Sequence, residues 1–208
     1  MMKVLLLNGS PRKEGNTFAV LREMEKTFNA EGVQTELIHV GNQNVHGCLA
    51  CGKCGELGKC VLDDLVNEVA AKLSEADGLV IGSPVYYASP AGTLMAFLDR
   101  LFYSSASINK SMKVGASVAV ARRAGTTATF DVLNKYFTIS NMPVVSSQYW
   151  NVAHGAKPGE VLQDAEGMQT MRTLARNMAF LIKSIDLGKK KFGLPKVEEG
   201  KQKTNFIR

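Results

Sequence analysis

Short, continuous apolar runs alternate along this chain with longer segments whose apolar side chains recur every three or four residues, and that beat constrains the fold more than any other feature. Lys3 to Asn8 (KVLLLN) is apolar at consecutive positions, as a strand covered on both faces requires, and it breaks into a Gly-Ser-Pro turn. Asn16 is then the expected N-cap of a helix whose Phe18, Leu21, Met24 and Phe28 share one face, closed by Gly32. The same alternation predicts strands over Gln34 to Val40, Gly78 to Ser83, Lys113 to Ala121 and Pro143 to Ser147. It predicts helices over roughly 64–75, 90–103, 126–139 and 163–187. Parallel neighbours need a crossover, and crossover helices cover both faces of a sheet. The expected fold is therefore α/β, a doubly wound five-stranded parallel sheet. Met168, Met171, Leu174, Met178, Leu181, Ile182 and Ile185 form the core stripe of its last helix.

At 208 residues the chain suits one domain, expected over 1–188, with a basic C-terminal tail over 189–208. The net charge is +6, yet eight basic against three acidic residues from Lys183 to Arg208 leave only +1 for the rest. Such charge keeps a tail solvated after a helix expected to end at Gly188, so no nucleic-acid partner is implied. No apolar run approaches eighteen residues, and the opening one has four before Asn8, so neither a membrane span nor a secretory signal is expected. All four cysteines crowd between positions 48 and 60, too tight for a disulfide framework, and point to metal or redox work in a reducing cytoplasm.

In a doubly wound sheet ligands collect beyond the carboxyl ends of the strands, so the informative loops are 8–17, 41–63, 83–90, 121–126 and 147–162. The first, NGSPRKEGNT, sets small and hydroxyl residues before a helix N-terminus, where unpaired N–H groups favour an anion. It has neither the lysine pattern of a triphosphate loop nor the GxGxxG of a dinucleotide fold, so a single phosphate fits, held by Ser10, Arg12, Asn16 and Thr17. A plain Gly-Pro turn before a capped helix is the alternative. The third loop, SPVYYASP, offers two tyrosines and an extended turn that suits a flat ring, with Ser89-Pro90 expected to start the next helix. The fourth sets Arg122, Arg123 and Gly125 where charge and helix donors would stabilise a reduced, anionic ring.

Together these loops resemble the flavodoxin-like NAD(P)H-dependent FMN reductases. GSPRKEGNT is similar to that family's FMN phosphate loop, and GSPVYYASPAGTLMAFLDR to its isoalloxazine loop and following helix, within a resemblance running from Lys3 to about Ile185. The resemblance implies strand order 2-1-3-4-5, noncovalent FMN, and a homodimer or homotetramer. It carries Ser10, Arg12, Asn16 and Thr17 to the phosphate and Pro84, Val85, Tyr86 and Tyr87 to the ring, with Arg122, Arg123 and Gly125 matching more loosely.

Cys48, Cys51, Cys54 and Cys60 have the spacing CxxCxxCxxxxxC. Four thiolates this close can wrap a [4Fe-4S] cubane, with Gly47, Gly52, Gly55 and Gly58 letting the backbone turn around it. The motif resembles that of the iron–sulfur flavoproteins. Free or reversibly oxidised thiols, and a zinc site, remain open alternatives.

The main expectation is an FMN-dependent oxidoreductase: NAD(P)H as substrate reduces the flavin, which passes electrons to a quinone, flavin, metal or protein acceptor, with no obligatory cluster. The first alternative is an iron–sulfur flavoprotein exchanging electrons with a ferredoxin-like partner. The second is a flavin-free thiol-sensing or regulatory module. No catalytic dyad stands out, as hydride transfer to a flavin needs none. Trp150 and His154 are expected on the fifth post-strand loop, and His39, His46 and His154 read as ordinary polar histidines.

Overall fold

The computed structural model describes residues 2–196 together with 199, 200, 202 and 204; the remaining tail residues, among them Lys201, Lys203 and Arg208, lie outside the described residues. Strand β1 (Lys3–Asn8) leads into α1 (Asn16–Ala30) and β2 (Gln34–His39). After a long connection containing the short α2 (Cys54–Leu57) come α3 (Leu65–Glu75), β3 (Gly78–Tyr86), β4 (Ser89–Pro90) and α4 (Gly92–Ser104). The chain continues through β5 (Val114–Ala121), α5 (Thr126–Thr138), β6 (Val152–His154), a 3-10 turn (Glu160–Gln163) and α6 (Ala165–Phe192).

The strands pair in the order β2-β1-β3-β5-β6, all parallel, while β4 folds back antiparallel on β3. Leaving out that two-residue strand, this is the 2-1-3-4-5 order of a flavodoxin-like sheet. Consecutive side chains of a strand face opposite ways. Thus Val4 and Leu6 of β1 pack with Val20, Leu21, Met24 and Phe28 of α1 and with Met171, Leu174 and Met178 of α6. Leu5 and Leu7 pack instead with Val66, Val69 and Leu73 of α3, with Leu94, Phe97 and Leu101 of α4 and with Leu133 and Phe137 of α5. Both faces are covered, which is why the strands read as unbroken apolar runs.

Four boundaries differ from the sequence reading. The last strand does not run from Pro143 to Ser147: there only Val144 bridges to Gly115, and the chain leaves the sheet at Ser146 and returns at Val152 to pair with Ala119. A one-dimensional apolar pattern cannot see this excursion, because Tyr149 and Trp150 at its tip, each 54% exposed, look as strand-like as the buried residues around them. Consequently Trp150 precedes the final strand and His154 ends it, rather than both lying on the loop after it. Ser89-Pro90 does not cap α4 but closes a hairpin, with Val85 opposite Pro90 and Tyr86 opposite Ser89; Ala91 is the cap residue. Gly15, not Asn16, caps α1. Finally, α6 runs through Gly188 to Phe192 and ends at Gly193, so Lys189, Lys190 and Lys191 form its last turn, where they favour the negative end of the helix dipole.

A Cβ added at Gly115 on β5 would sit 2.5 Å from two ring atoms of Phe137, itself fully buried. Gly115→Ala is expected to cost about 1–3 kcal/mol through overpacking. An unchanged midpoint in urea unfolding would show that the Phe137 ring can give way.

Candidate functional site

The loop after β1 is held from within. Asn8 is fully buried; its Oδ1 accepts from Ser10 N–H at 3.1 Å and its Nδ2 donates to Lys13 O at 3.2 Å. Ser10 Oγ accepts from Arg12 N–H at 3.1 Å, which leaves the hydroxyl proton free to donate outward. From the side, His39 Nε2 meets Ser10 O at 2.7 Å, so the ring nitrogen is the donor, and a Cβ on Gly41 would overlap the Ser10 carbonyl at 2.1 Å. The first backbone bond of α1 runs from Ala19 N–H to Gly15 O, and no side chain caps the helix. The N–H groups of Asn16, Thr17 and Phe18 therefore precede that bond, beside the buried side chains of Ser10 and Thr17. Arg12 is exposed and makes no ion pair among the described residues.

Asn16 is turned elsewhere. Its Oδ1 accepts from Val161 N–H at 3.4 Å, and a Cβ on Gly155 would lie 2.8 Å from its Nδ2, so its side chain ties α1 to the segment after β6.

The second loop at this edge is the β3–β4 hairpin. Tyr87 and Ala88 at its tip both have positive φ, 51° and 58°, the two-residue turn that matches strand twist but normally favours Asn or Gly. Holding two L-residues there costs on the order of 1–2 kcal/mol each. Tyr87 is fully exposed, and Pro84 and Val85 are half-buried. Ser83 Oγ anchors the base, accepting from Ala91 N–H at 3.0 Å and donating to Pro84 O at 2.8 Å. The fourth loop, 121–126, reaches the same hairpin: Gly125, at φ 87°, stands where a Cβ would come within 2.9 Å of Ala88 Cα and 3.0 Å of the Val85 side chain. Arg122 and Arg123 beside it are exposed. Thus the open donors of α1, a rigid aromatic hairpin and the N-terminus of α5 line one sheet edge. Unpaired N–H groups for an anion and a strained turn whose Tyr87 ring is fully exposed suit a flavin phosphate and its ring.

The cysteine loop begins at that edge but does not stay there. Positive φ at Ala50, Gly52 and Gly58 winds it, whereas Gly47 and Gly55 use ordinary backbone angles. Cys48, Cys51, Cys54 and Cys60, all free thiols, line one small surface cavity together with Leu49, Val61, Leu62, Arg100, Tyr103 and Ser104. Among the described residues no three His, Cys, Asp or Glu side chains converge as ligands of one metal ion would. The cavity wall is the later part of α4. Arg100 lies eight residues beyond Gly92, about 12 Å along the helix axis, so the cavity is displaced from the flavin-suited edge.

Arg100 was not singled out in the sequence, and it is the most informative residue of this region. It is 1% exposed. Nη1 and Nη2 take both oxygens of Asp64 at 2.6 and 3.0 Å, Nη1 also donates to His46 O at 3.3 Å, and Nη2 to Leu62 O at 3.1 Å. Nε and Nη2 each stand 3.3 Å from Cys60 Sγ. Burial works against the guanidinium charge, but Asp64 and Cys60 outweigh it and hold the pKa above the ordinary arginine range. Asp64 also caps α3, accepting from Val66 N–H at 3.1 Å. The available signal was a charged residue three positions after Phe97, on the apolar stripe of α4.

A parallel sheet with open helix donors and an exposed aromatic hairpin at its carboxyl edge is the frame of a flavodoxin-like protein. Residues 2–157 match the model of the family described as NADPH-dependent FMN reductase. The chain is 35% identical over 191 residues to an iron-sulfur flavoprotein of Methanocaldococcus jannaschii, covering 88% of this chain and 99% of that protein. It is 28% identical over 193 residues to an iron-sulfur flavoprotein of Methanosarcina thermophila, covering 91% and 100%. An archaeal flavodoxin structure superposes with a TM-score of 0.59 at 15% identity, covering 88% of this chain and 99% of that one, which supports the fold. The chain belongs to the NADPH-dependent FMN reductase family, in its iron-sulfur flavoprotein branch, and is a flavin-dependent oxidoreductase. Among the described residues no helix is long and apolar enough to cross a membrane.

Removing Asp64 would leave Arg100 buried without its counter-charge and α3 without its cap. Asp64→Ala is expected to lower stability by about 3–5 kcal/mol. A loss below about 1 kcal/mol in denaturant unfolding would mean that water or the backbone satisfies the guanidinium unaided.

Proposed function

We propose that this chain carries FMN at the carboxyl edge of the sheet and a [4Fe-4S] cluster in the cysteine cavity, and exchanges electrons with a ferredoxin-like protein in a reducing cytoplasm. The observation that carries this reading is the cavity itself: four free thiols share it with a buried guanidinium aimed at one of their sulfurs and with Ser104, whose buried hydroxyl has no hydrogen-bond partner. An anionic, sulfur-rich group would use both. When bound, the flavin accepts a hydride or single electrons, and the cluster passes single electrons. The sequence reading leaned toward a flavin working alone; the full-length likeness to iron-sulfur flavoproteins favours the reading with both centres.

On this reading Ser10 and Thr17, the first N–H groups of α1, and Arg12 bind the phosphate, Asn16 contributing its backbone rather than its amide. Pro84, Val85, Tyr86 and Tyr87 position the ring. Gly125 lets the fourth loop lie against the hairpin, and Arg122 and Arg123 bring charge to the same edge. A contact between a charged group and phosphate is worth roughly 1.5–3 kcal/mol. Arg12→Ala should therefore weaken FMN binding by about tenfold or more while leaving riboflavin binding nearly unchanged; equal losses for the two ligands in a titration would remove Arg12 from the phosphate site.

The family description favours a second reading, with NADPH or NADH as electron donor to the flavin. The two readings part on one anaerobic experiment. Purified protein should contain close to four irons and four acid-labile sulfides per chain. Cys54→Ser should lose them and keep its flavin. Rapid mixing should bleach the flavin with reduced ferredoxin. If NADPH or NADH bleaches it instead, and iron and sulfide are absent, the nicotinamide reading replaces the first.

A further inference from the structure

Arg100 is an unusual side chain for the inward face of a helix, and its fork is occupied in a telling way. Its end grips Asp64 and thereby the start of α3, and two of its donors hold His46 O and Leu62 O, which flank the cysteine loop on either side. Along its other edge Nε points at a single sulfur, Cys60 Sγ, and Nη2, whose two hydrogens serve Asp64 and Leu62 O, shares one of them with the same sulfur. A loop needs pinning only at its ends; two N–H groups on one thiol sulfur go beyond that. The same cavity is lined by Ser104, 5% exposed, whose Oγ has no hydrogen-bond partner although buried hydroxyls nearly always have one. Arg100 and Ser104 stand one helical turn apart on α4, so one rigid element carries both donors.

We propose that Arg100 and Ser104 are positioning residues that set the reduction potential of the cluster, Arg100 by donating Nε–H and Nη2–H to the Cys60 thiolate and Ser104 by donating its hydroxyl to a sulfur in the cavity. The inference rests on the proposed cluster and says what this chain's residues do to it. Adding one electron makes the sulfurs more negative, and donors aimed at a sulfur favour the more negative state, as does a buried guanidinium. Hydrogen bonds to a thiolate sulfur are charge-assisted, which makes them stronger than neutral ones. Lysine would keep the charge and lose the fork, because its ammonium is a point donor that cannot meet Cys60, Asp64 and two carbonyls at once.

The test is an anaerobic potentiometric titration with dithionite as reductant, the cluster followed by electron paramagnetic resonance and the flavin by visible absorption. Iron and sulfide are counted in each preparation. Wild type, Arg100→Lys, Arg100→Gln and Ser104→Ala are compared. All three variants are expected to shift the cluster midpoint to more negative values, Arg100→Gln furthest because it loses charge and fork together, and Ser104→Ala least. The flavin couple should stay where it is in Ser104→Ala, which removes a hydroxyl with no partner in the fold. If either Arg100 variant sheds its cluster, Ser104→Ala decides, since a full complement of sulfide with an unmoved midpoint overturns the inference. Full sulfide and unmoved midpoints in the Arg100 variants overturn it as well. Wild-type protein without acid-labile sulfide overturns the cluster reading, and the inference falls with it.

Discussion

The central sheet is covered on both faces, so every strand N–H and C=O must find its partner in the neighbouring strand. This requirement makes the middle of the sheet inert and leaves backbone donors available only beyond the strand ends, where α1 and α5 begin without side-chain caps. The flavin-suited edge is therefore a by-product of how the sheet satisfies itself. Asn8 shows how closely the two are linked. It ends β1 in register with His39 and Gly82, and its buried amide fixes the first turn of the loop that would receive a phosphate.

The second region follows another rule. Where the first edge relies on backbone dipoles, the cysteine cavity relies on one buried charge. Arg100 organises it because a guanidinium taken out of water must satisfy five donors at once, and the groups it recruits come from α3, from both flanks of the cysteine loop and from Cys60. Four cysteines on a loop wound by left-handed residues would otherwise have little to hold them beside α4, since Leu49 and Leu57 are about half exposed.

The flavin-suited edge and the cysteine cavity stand in a fixed spatial relation, and this architecture supplies it from rigid elements. The hairpin at Tyr87 and Ala88 is strained but locked by Gly125 packed against it. The cysteine cavity is fixed through α4, whose start is tied to Ser83 at the flavin-suited edge and whose later turns carry Arg100 and Ser104. One helix thus spans both regions.

The alternation of apolar runs with helical stripes determined the parallel sheet and its two covered faces, because burial of strands and of helix faces leaves a periodic mark on a linear sequence, whereas the strand order followed only from the family resemblance. The phosphate-suited loop and the cysteine motif were equally legible, being contiguous segments whose chemistry lies in residue type and spacing. Tertiary structure alone decided the rest. The split of the last strand depends on which of several apolar residues near Tyr149 and Trp150 meet β5. The diversion of the Asn16 amide depends on Val161, and the pairing of Arg100 with Asp64 and Cys60 joins groups on three separate segments. These are long-range contacts between residues whose own neighbours in sequence say nothing of one another, and only the packing of α4 against α3 and the cysteine loop brings a charge, its counter-charge and a sulfur into one place.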